Sequence, residues 1–229
     1  MLVVNSLFTR HLVGWMRLLI TWIVMLLGAV LGFASISTLT KASLTTLTNQ
    51  LAMREGISLA VAQVVIGMLP VRVFLGIVTM SLGFIIHGLF PVIEKYQHYI
   101  MPILGTALVI YGLSKSGLFA WWLSEVEVKL ISGMPSYNLA VTGLMSSVLP
   151  NGPMVYAMAF GMLTFPEHAL LLFLVSAAGS GVALAILAFK ARSSMETGMS
   201  FVDIELLVRL TGVMLLTMGF VLIACIKLF

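Results

Sequence analysis

Charged residues and cysteine are both scarce in this sequence. Only 9% of its 229 residues are charged, whereas soluble domains carry about 25%, and 61% are hydrophobic. Because so few charges cannot give a chain of this length a water-compatible surface, its main solvent must be lipid. The single cysteine, Cys225, excludes a disulfide framework, a CxxC pair and a thiolate metal cluster.

Acidic residues are absent from the long apolar runs. All eight stand in or beside predicted loops: Glu55, Glu94, Glu125, Glu127, Glu167, Glu196, Asp203 and Glu205. This distribution argues against a hard-metal site and against a carrier that couples transport to protons or Na⁺ through carboxylates at membrane depth. The 12 Lys and Arg residues are scattered, so the net charge of +4 does not predict nucleic-acid binding. Because no catalytic triad, phosphate loop or zinc spacing is present, we predict neither enzymatic activity nor a cofactor.

Six apolar runs are long enough to cross a membrane, which takes about 20 mostly apolar residues. They cover residues 18–40, about 71–92, 99–119, 138–165, 168–189 and 206–229. The second run belongs to a longer tract that starts at Ile57, and we predict a partly buried or re-entrant segment ahead of that span. The expected fold class is all-α, a polytopic membrane protein with about six transmembrane helices.

Two glycine pairs indicate an internal repeat. Gly105 and Gly112 stand seven residues apart in the third span, and Gly212 and Gly219 stand seven apart in the sixth, at an offset of 107 residues. Three spans in each half would make the two halves inverted in the membrane, an arrangement that recurs in transporters. We therefore predict two inverted three-helix repeats.

This repeat divides one transmembrane domain, 1–229. The first half-repeat covers 1–119, an interfacial linker covers 120–136, and the second half-repeat covers 137–229. The offset of 107 pairs Pro150 with Ser43 and predicts an irregular polar element near the end of the first span. With six spans, eight basic residues fall on one side and four on the other, which favours both termini outside the cytoplasm.

The fourth predicted span contains a helix break, Pro150-Asn151-Gly152-Pro153. Pro153 lacks an N–H and Gly152 can adopt left-handed geometry, so about one turn should unwind. Asn151 offers two donors and an acceptor at the apex, and Tyr156 follows one turn later. One interpretation is a proline kink that lets helices pack. The other is a pore or binding element, because such a break survives in lipid only where it is buried or lines a wet cavity.

Two ionisable residues and a methionine row are further candidates. Arg72 and His87 lie in the second apolar tract, where an ionisable residue either serves function or reaches the membrane surface. Met154, Met158 and Met162 follow the break at intervals of four residues, on one helix face. Thioethers can bind Cu(I), although methionines at such spacing also simply fill irregular helix contacts.

The stretch "GLMSSVLPNGPMVYAMAFG" resembles the second-half motif of the SafE/UreH-like membrane family, which carries the sulfite-exporter label and is related to the CcdA/DsbD transmembrane thiol transporters. The resemblance implies six spans, two inverted halves and proline-broken helices that face each other. Asn151 stands where the family has a cysteine, and "FASISTLTKASLTTL" lacks the family's first-half His-Cys and Met-Cys residues. Thiol–disulfide exchange is therefore excluded, because it needs a thiolate and a disulfide.

Two functions remain open. The chain could be an accessory, structural or assembly subunit of a larger membrane complex, without redox or enzymatic chemistry of its own. Alternatively, it could be a small permease or exporter for a small solute, an anion or a soft metal such as Cu(I). The expected partners are the lipid bilayer, other membrane subunits and a second copy of the chain. The expected location is a bacterial inner membrane, with both termini periplasmic according to the count of basic residues.

Overall fold

Every regular element that we describe in the computed structural model is a helix. The described residues are 2–39, 41–116, 139–148, 151–196 and 204–225. The eight α-helices are α1 (Leu2–Ile36), α2 (Lys41–Ala52), α3 (Ile57–Leu89), α4 (Val92–Lys115), α5 (Leu139–Val148), α6 (Gly152–Leu163), α7 (Ala169–Glu196) and α8 (Ile204–Ala224), with a 3-10 turn at Pro166–His168. The predicted interfacial linker, 120–136, lies outside the described residues.

Four helical segments are long and apolar enough to cross a membrane: Gly14–Ile36, Ile57–Leu89, Pro166–Met195 and Leu206–Ala224. The all-α class and the membrane character of the chain are therefore confirmed. The re-entrant segment predicted from Ile57 onward is wrong, because α3 is one continuous helix of 33 residues with Pro70 inside it. At 1.5 Å per residue such a helix is about 50 Å long, which exceeds the hydrocarbon thickness of about 30 Å.

Glycines bring two pairs of parallel helices into backbone contact. A Cβ added to Gly32 of α1 would lie 1.9 Å from the Ser176 carbonyl oxygen of α7, and one added to Gly179 would lie 2.1 Å from that of Ala29. The α3–α5 pair repeats this arrangement, with Gly67 against Ala140 and Gly143 against Val64, at 1.9 and 2.0 Å. Small residues at these positions let helices approach closely in a membrane, where close packing rather than the hydrophobic effect drives helix association.

Three pairs of helices begin at nearly the same offset along the chain. Helices α2 and α6 both have 12 residues and start 111 residues apart. The starts of α3 and α7 differ by 112 residues, as do those of α4 and α8. These offsets differ from the 107 residues taken from the glycine pairs, and the internal repeat stays a prediction. Those glycines instead face each other across the antiparallel α4–α8 contact, Gly105 against Gly219 and Gly112 against Gly212.

Two helices are each accompanied by a broken partner. Along α3, Ala140 of α5 contacts Gly67, and Met162 of α6 contacts Gly83. Helices α5 and α6 therefore run beside α3 in the same direction, one on each side of the interruption between Val148 and Gly152, called the second break here. The second such helix is α7, which packs against α1 and then against α2. Leu44, Leu47 and Leu51 of α2 share a core cluster with α7 residues that include Leu184 and Leu187. Ser43, the predicted irregular element, lies inside α2, and the first break is instead the turn at 37–39.

Candidate functional site

The second break is a helix start that Asn151 caps. Asn151 has extended geometry (φ −120°, ψ 157°), and its Oδ1 accepts a hydrogen bond from the Met154 backbone N–H at 3.0 Å. The amide therefore satisfies one of the donors that every helix N-terminus leaves without an intrahelical partner. This gives Asn151 a structural role at the position where the resembling family has a cysteine. Pro150, the first proline of the motif, lies outside the described residues.

Gly152 and Pro153 form the first turn of α6. Pro153 is tolerated there because the N–H that it lacks would have no intrahelical acceptor. The left-handed geometry expected of Gly152 is wrong, since Gly152 opens the helix in ordinary helical geometry. Its Cα instead faces Tyr111 of α4, whose hydroxyl oxygen would be 3.4 Å from an added Cβ. Pro153 thus stands in the first turn of a helix and does not kink one.

Removing the Asn151 cap should destabilise the protein moderately. We expect Asn151→Ala to lower the free energy of unfolding by about 1 kcal/mol, the usual cost of losing an N-cap side chain. Asn151→Ser should retain most of that stability, because a serine hydroxyl can also accept from the backbone N–H. Thermal unfolding of the purified variants measures the difference, and a serine variant as unstable as the alanine variant would contradict the capping role.

Tyr156 ties α6 to α4. Its hydroxyl donates a hydrogen bond to the Leu104 carbonyl oxygen at 3.0 Å, and its ring stacks on Phe160 with the centroids 6.4 Å apart. The side chain is therefore engaged in packing between helices. The structure accordingly gives Tyr156 a positioning role at the break.

Arg72 of α3 lies in the interior of the helix bundle, with 1% of its surface exposed. Its Nη2 donates a hydrogen bond to the Ser35 hydroxyl oxygen at 3.2 Å. Its Nε and Nη1 are buried and have no hydrogen-bond partner among the residues that the structure describes. The interpretation in which Arg72 reaches the membrane surface is therefore wrong.

Serine hydroxyls of α1 and α7 receive the Arg72 side chain. The hydroxyls of Ser35 and Ser180 lie 3.1 Å apart, and each donates to the Gly32 carbonyl oxygen, at 2.7 and 2.8 Å. Because the Ser35 proton is directed to this carbonyl, an oxygen lone pair remains to accept from Arg72. Ser35 itself stands two residues ahead of the first break, where the Thr38 hydroxyl donates to the Ser35 carbonyl.

No described acid neutralises Arg72. The two acidic side chains that the structure describes, Glu55 and Glu167, are both exposed. An arginine is charged at all relevant pH values, and an unpaired ion in a protein interior costs several kcal/mol. Among the residues that the structure describes, the buried guanidinium therefore has two donor groups without an acceptor and no acidic partner for its charge.

A cavity of about 420 Å³ adjoins the second break. It lies between α3, α5 and α6, and its walls comprise Pro70, Val71, Phe74, Leu75, Ser147, Val148, Met154, Val155 and Met158. The residue Val71 next to Arg72 is thus in the wall of this cavity, while Arg72 itself bonds to Ser35 near the first break. The segment of α3 around Arg72 therefore borders both the end of α1, through Ser35, and the cavity beside the second break.

Other predicted site residues are spread more widely. Met154 and Met158 border the cavity, but Met162 lies farther along, beside Gly83. His87 is fifteen residues beyond Arg72 on α3, and its Nε2 is buried without a hydrogen-bond partner in the described part of the chain. The predicted residues thus fall into three separate places: the capped break, the Arg72 pocket and the far end of α3.

Sequence reasoning missed the small residues around Arg72 and the break. Ser35 accepts a hydrogen bond from the guanidinium and is itself bonded to Gly32 and Ser180, and Ser147 of α5 is buried with no hydrogen-bond partner among the described residues. The sequence does place serines at the ends of the two helices that precede the breaks, in "FASIS" of α1 and "MSSV" of α5.

Comparisons with family models, curated proteins and solved structures give no match to this chain. The resemblance of the Pro150–Tyr156 segment to the SafE/UreH-like family stays a prediction. The functional argument therefore depends on the residues and contacts of this chain alone.

Proposed function

We propose that this chain is a small permease for inorganic or other small anions, with Arg72 as the residue that binds the anion. The observation that carries the proposal is the buried guanidinium with unpartnered Nε and Nη1 groups. A guanidinium presents its N–H groups in a planar fork that fits an oxyanion in bidentate fashion. A bound anion would provide both the missing hydrogen bonds and the missing charge.

The proposed architecture is six crossings in two inverted halves. The first half has α1–α2, α3 and α4, and the second has α5–α6, α7 and α8. This assignment is supported by the helix starts that recur after 111 or 112 residues and by the two glycine contacts that recur at the same offset. Discontinuous helices at a repeat interface are where such transporters bind their substrates.

The side chains near Arg72 favour an anion over a cation. Arg72 places a positive charge in this interior, and the two described carboxylates, Glu55 and Glu167, are exposed rather than buried near it to bind a metal ion. Among the described residues, no group of three or more His, Cys, Asp or Glu side chains could hold a metal. A Cu(I) route along Met154 and Met158 would have to pass a buried positive charge one helix away, which disfavours it electrostatically.

A transport assay tests the proposal directly. The purified protein would be reconstituted into liposomes, and the efflux of trapped sulfate, phosphate, nitrate and chloride would be compared with that of glycerol as a neutral control. We expect selective efflux of at least one anion above the level of protein-free liposomes. Equal efflux of glycerol and of all four anions, or none of any solute, would contradict an anion permease.

The accessory-subunit function is the second candidate, and the outer face of α1 favours it. Trp15 and Trp22 stand two turns apart, 72% and 68% exposed, and Leu18 and Leu26 on the same face are also exposed. Exposed tryptophans are enriched both at subunit interfaces and at membrane surfaces. Purification from the native membrane in a mild detergent separates the candidates, because a stoichiometric membrane complex would favour the accessory function and an isolated monomer or homodimer would exclude it.

The location remains part of this proposal. The unequal distribution of Lys and Arg supports termini outside the cytoplasm, and the inner membrane of a bacterium is proposed on the resemblance of the Pro150–Ala157 segment. Labelling of cysteines introduced at each terminus of a Cys225→Ser protein, with a reagent that does not cross membranes, would report their side.

A further inference from the structure

The cavity between α3, α5 and α6 is open at its side. Three of its wall residues have most of their surface exposed: Phe74 at 65%, and Val148 and Val155 at 55% each. These residues are apolar, and α3 is one of the helices long and apolar enough to cross a membrane. The opening therefore lies on an apolar outer face of the helix bundle, as expected of a surface that contacts membrane lipid.

The walls match a hydrocarbon chain, with one exception. Eight of the nine wall residues are apolar, among them Met154 and Met158, whose flexible thioethers adapt to varied shapes. The volume of about 420 Å³ lies within the range of small-molecule sites, roughly 300–1,000 Å³. The exception is Ser147, a residue 4% exposed.

Besides the shape and apolar walls of the cavity, the side chain of Ser147 indicates a ligand. Its hydroxyl oxygen is buried and has no hydrogen-bond partner among the described residues. The neighbouring Ser146, in contrast, donates to the Gly143 carbonyl at 2.8 Å within its own helix. Buried hydroxyl groups nearly always have a hydrogen-bond partner. We therefore expect the Ser147 hydroxyl to donate to an acceptor outside the described residues.

We propose that this cavity binds one acyl chain of a membrane phospholipid, with the Ser147 hydroxyl donating a hydrogen bond to the ester carbonyl of that chain. The ester carbonyl is the acceptor attached directly to the chain, and the lateral opening allows entry from the bilayer. The bound chain contacts Met154, Val155 and Met158 in the first turns of α6, and it therefore supports the helix that starts at the second break. The site is separate from Arg72 and does not depend on anion transport.

Cross-linking tests the site with a defined probe. The protein would be reconstituted in phosphatidylcholine vesicles that contain a trace of phosphatidylcholine with a diazirine in one acyl chain, irradiated and mapped by mass spectrometry. We expect concentrated labelling of Phe74, Val148 and Met158. Uniform labelling of all exposed apolar side chains, with no enrichment in the cavity, would overturn the proposal.

Two matched pairs of variants sharpen the result. Val155→Trp fills the opening and should abolish the cavity labelling, whereas Val182→Trp, at a position of α7 that is also 55% exposed, should leave it unchanged. Ser147→Ala should reduce the lipid retained through detergent purification severalfold, and Ser146→Ala should not. Equal cavity labelling in Val155→Trp and Val182→Trp would show that no acyl chain enters the cavity. Equal amounts of lipid retained by Ser147→Ala and Ser146→Ala would contradict the hydrogen bond between Ser147 and the ester.

Discussion

Replacing Arg72 with methionine is expected to abolish anion transport while leaving a folded protein that is at least as thermostable as the wild type. Methionine retains much of the side-chain volume and removes the buried charge. Among the described residues the guanidinium has one hydrogen bond, to Ser35, and its Nε and Nη1 groups have no partner. Replacing a buried charge by an apolar residue of similar volume is often neutral or stabilising, by up to about 4 kcal/mol.

The loss of transport should be large. Hydrogen bonds to charged groups contribute about 1.5–3 kcal/mol each, so losing even one of them from the anion complex should weaken binding by roughly 10- to 100-fold. Arg72→Lys should retain the charge but lose the planar fork, and its transport should fall between the wild type and Arg72→Met. Arg54→Met, at an exposed position after α2, is the control and should transport normally.

Melting temperature and flux must be measured together for this variant. A stable Arg72→Met protein without flux would assign Arg72 to function. A variant that unfolds several degrees lower and still transports anions would instead make Arg72 a structural residue, held in place by the Ser35 network.

Adding a single methyl group at Gly32 should destabilise the protein severely. The Cβ of an alanine there would lie 1.9 Å from the backbone oxygen of Ser176, so α1 and α7 would have to separate. Overpacking of a close interface costs about 1–3 kcal/mol and occasionally more, and contact with backbone rather than a flexible side chain places Gly32→Ala at the upper end. The Gly32 carbonyl also accepts from Ser35 and Ser180, so helix separation should disturb the Arg72 pocket as well.

Gly14 in the same helix is the matched control. An added Cβ at Gly14 meets no atom within 4 Å, and a glycine-to-alanine change in a helix interior is otherwise stabilising by about 0.5–1 kcal/mol. Gly14→Ala should therefore melt at or above the wild-type temperature, while Gly32→Ala should melt well below it. Gly143→Ala, whose Cβ would lie 2.0 Å from the Val64 oxygen, should match Gly32→Ala. Similar melting temperatures for Gly14→Ala and Gly32→Ala would contradict the close α1–α7 contact.

The sequence was sufficient to predict the helical membrane class, because hydrophobic length alone determines it. It was also sufficient to locate the second break between α5 and α6, since proline and glycine restrict the backbone locally. The glycines that suggested the repeat have a packing role instead, because Gly105 faces Gly219 and Gly112 faces Gly212 across the α4–α8 contact. Contacts between distant helices leave no spacing signal in a single sequence.

The environment of Arg72 was beyond sequence reasoning for the same reason. Whether an arginine near the start of an apolar tract reaches the membrane surface or points inward depends on the helices around it. Here its partner is Ser35, 37 residues earlier, and Ser180 of α7 completes the pocket from the other half of the chain. The role of Asn151, in contrast, can be derived from the local sequence, because a capping side chain bonds to the first turn of the helix that it precedes.

Calorimetric titration of small anions into the purified protein tests the central claim most directly. Sulfate, phosphate, nitrate and chloride would each be titrated into the wild type and into Arg72→Met in the same detergent, at constant ionic strength. The account predicts saturable binding of at least one of these anions to the wild type, with one site per chain, and no binding to Arg72→Met. Binding of equal affinity to both proteins, or no binding of any of the four anions to the wild type, would contradict it.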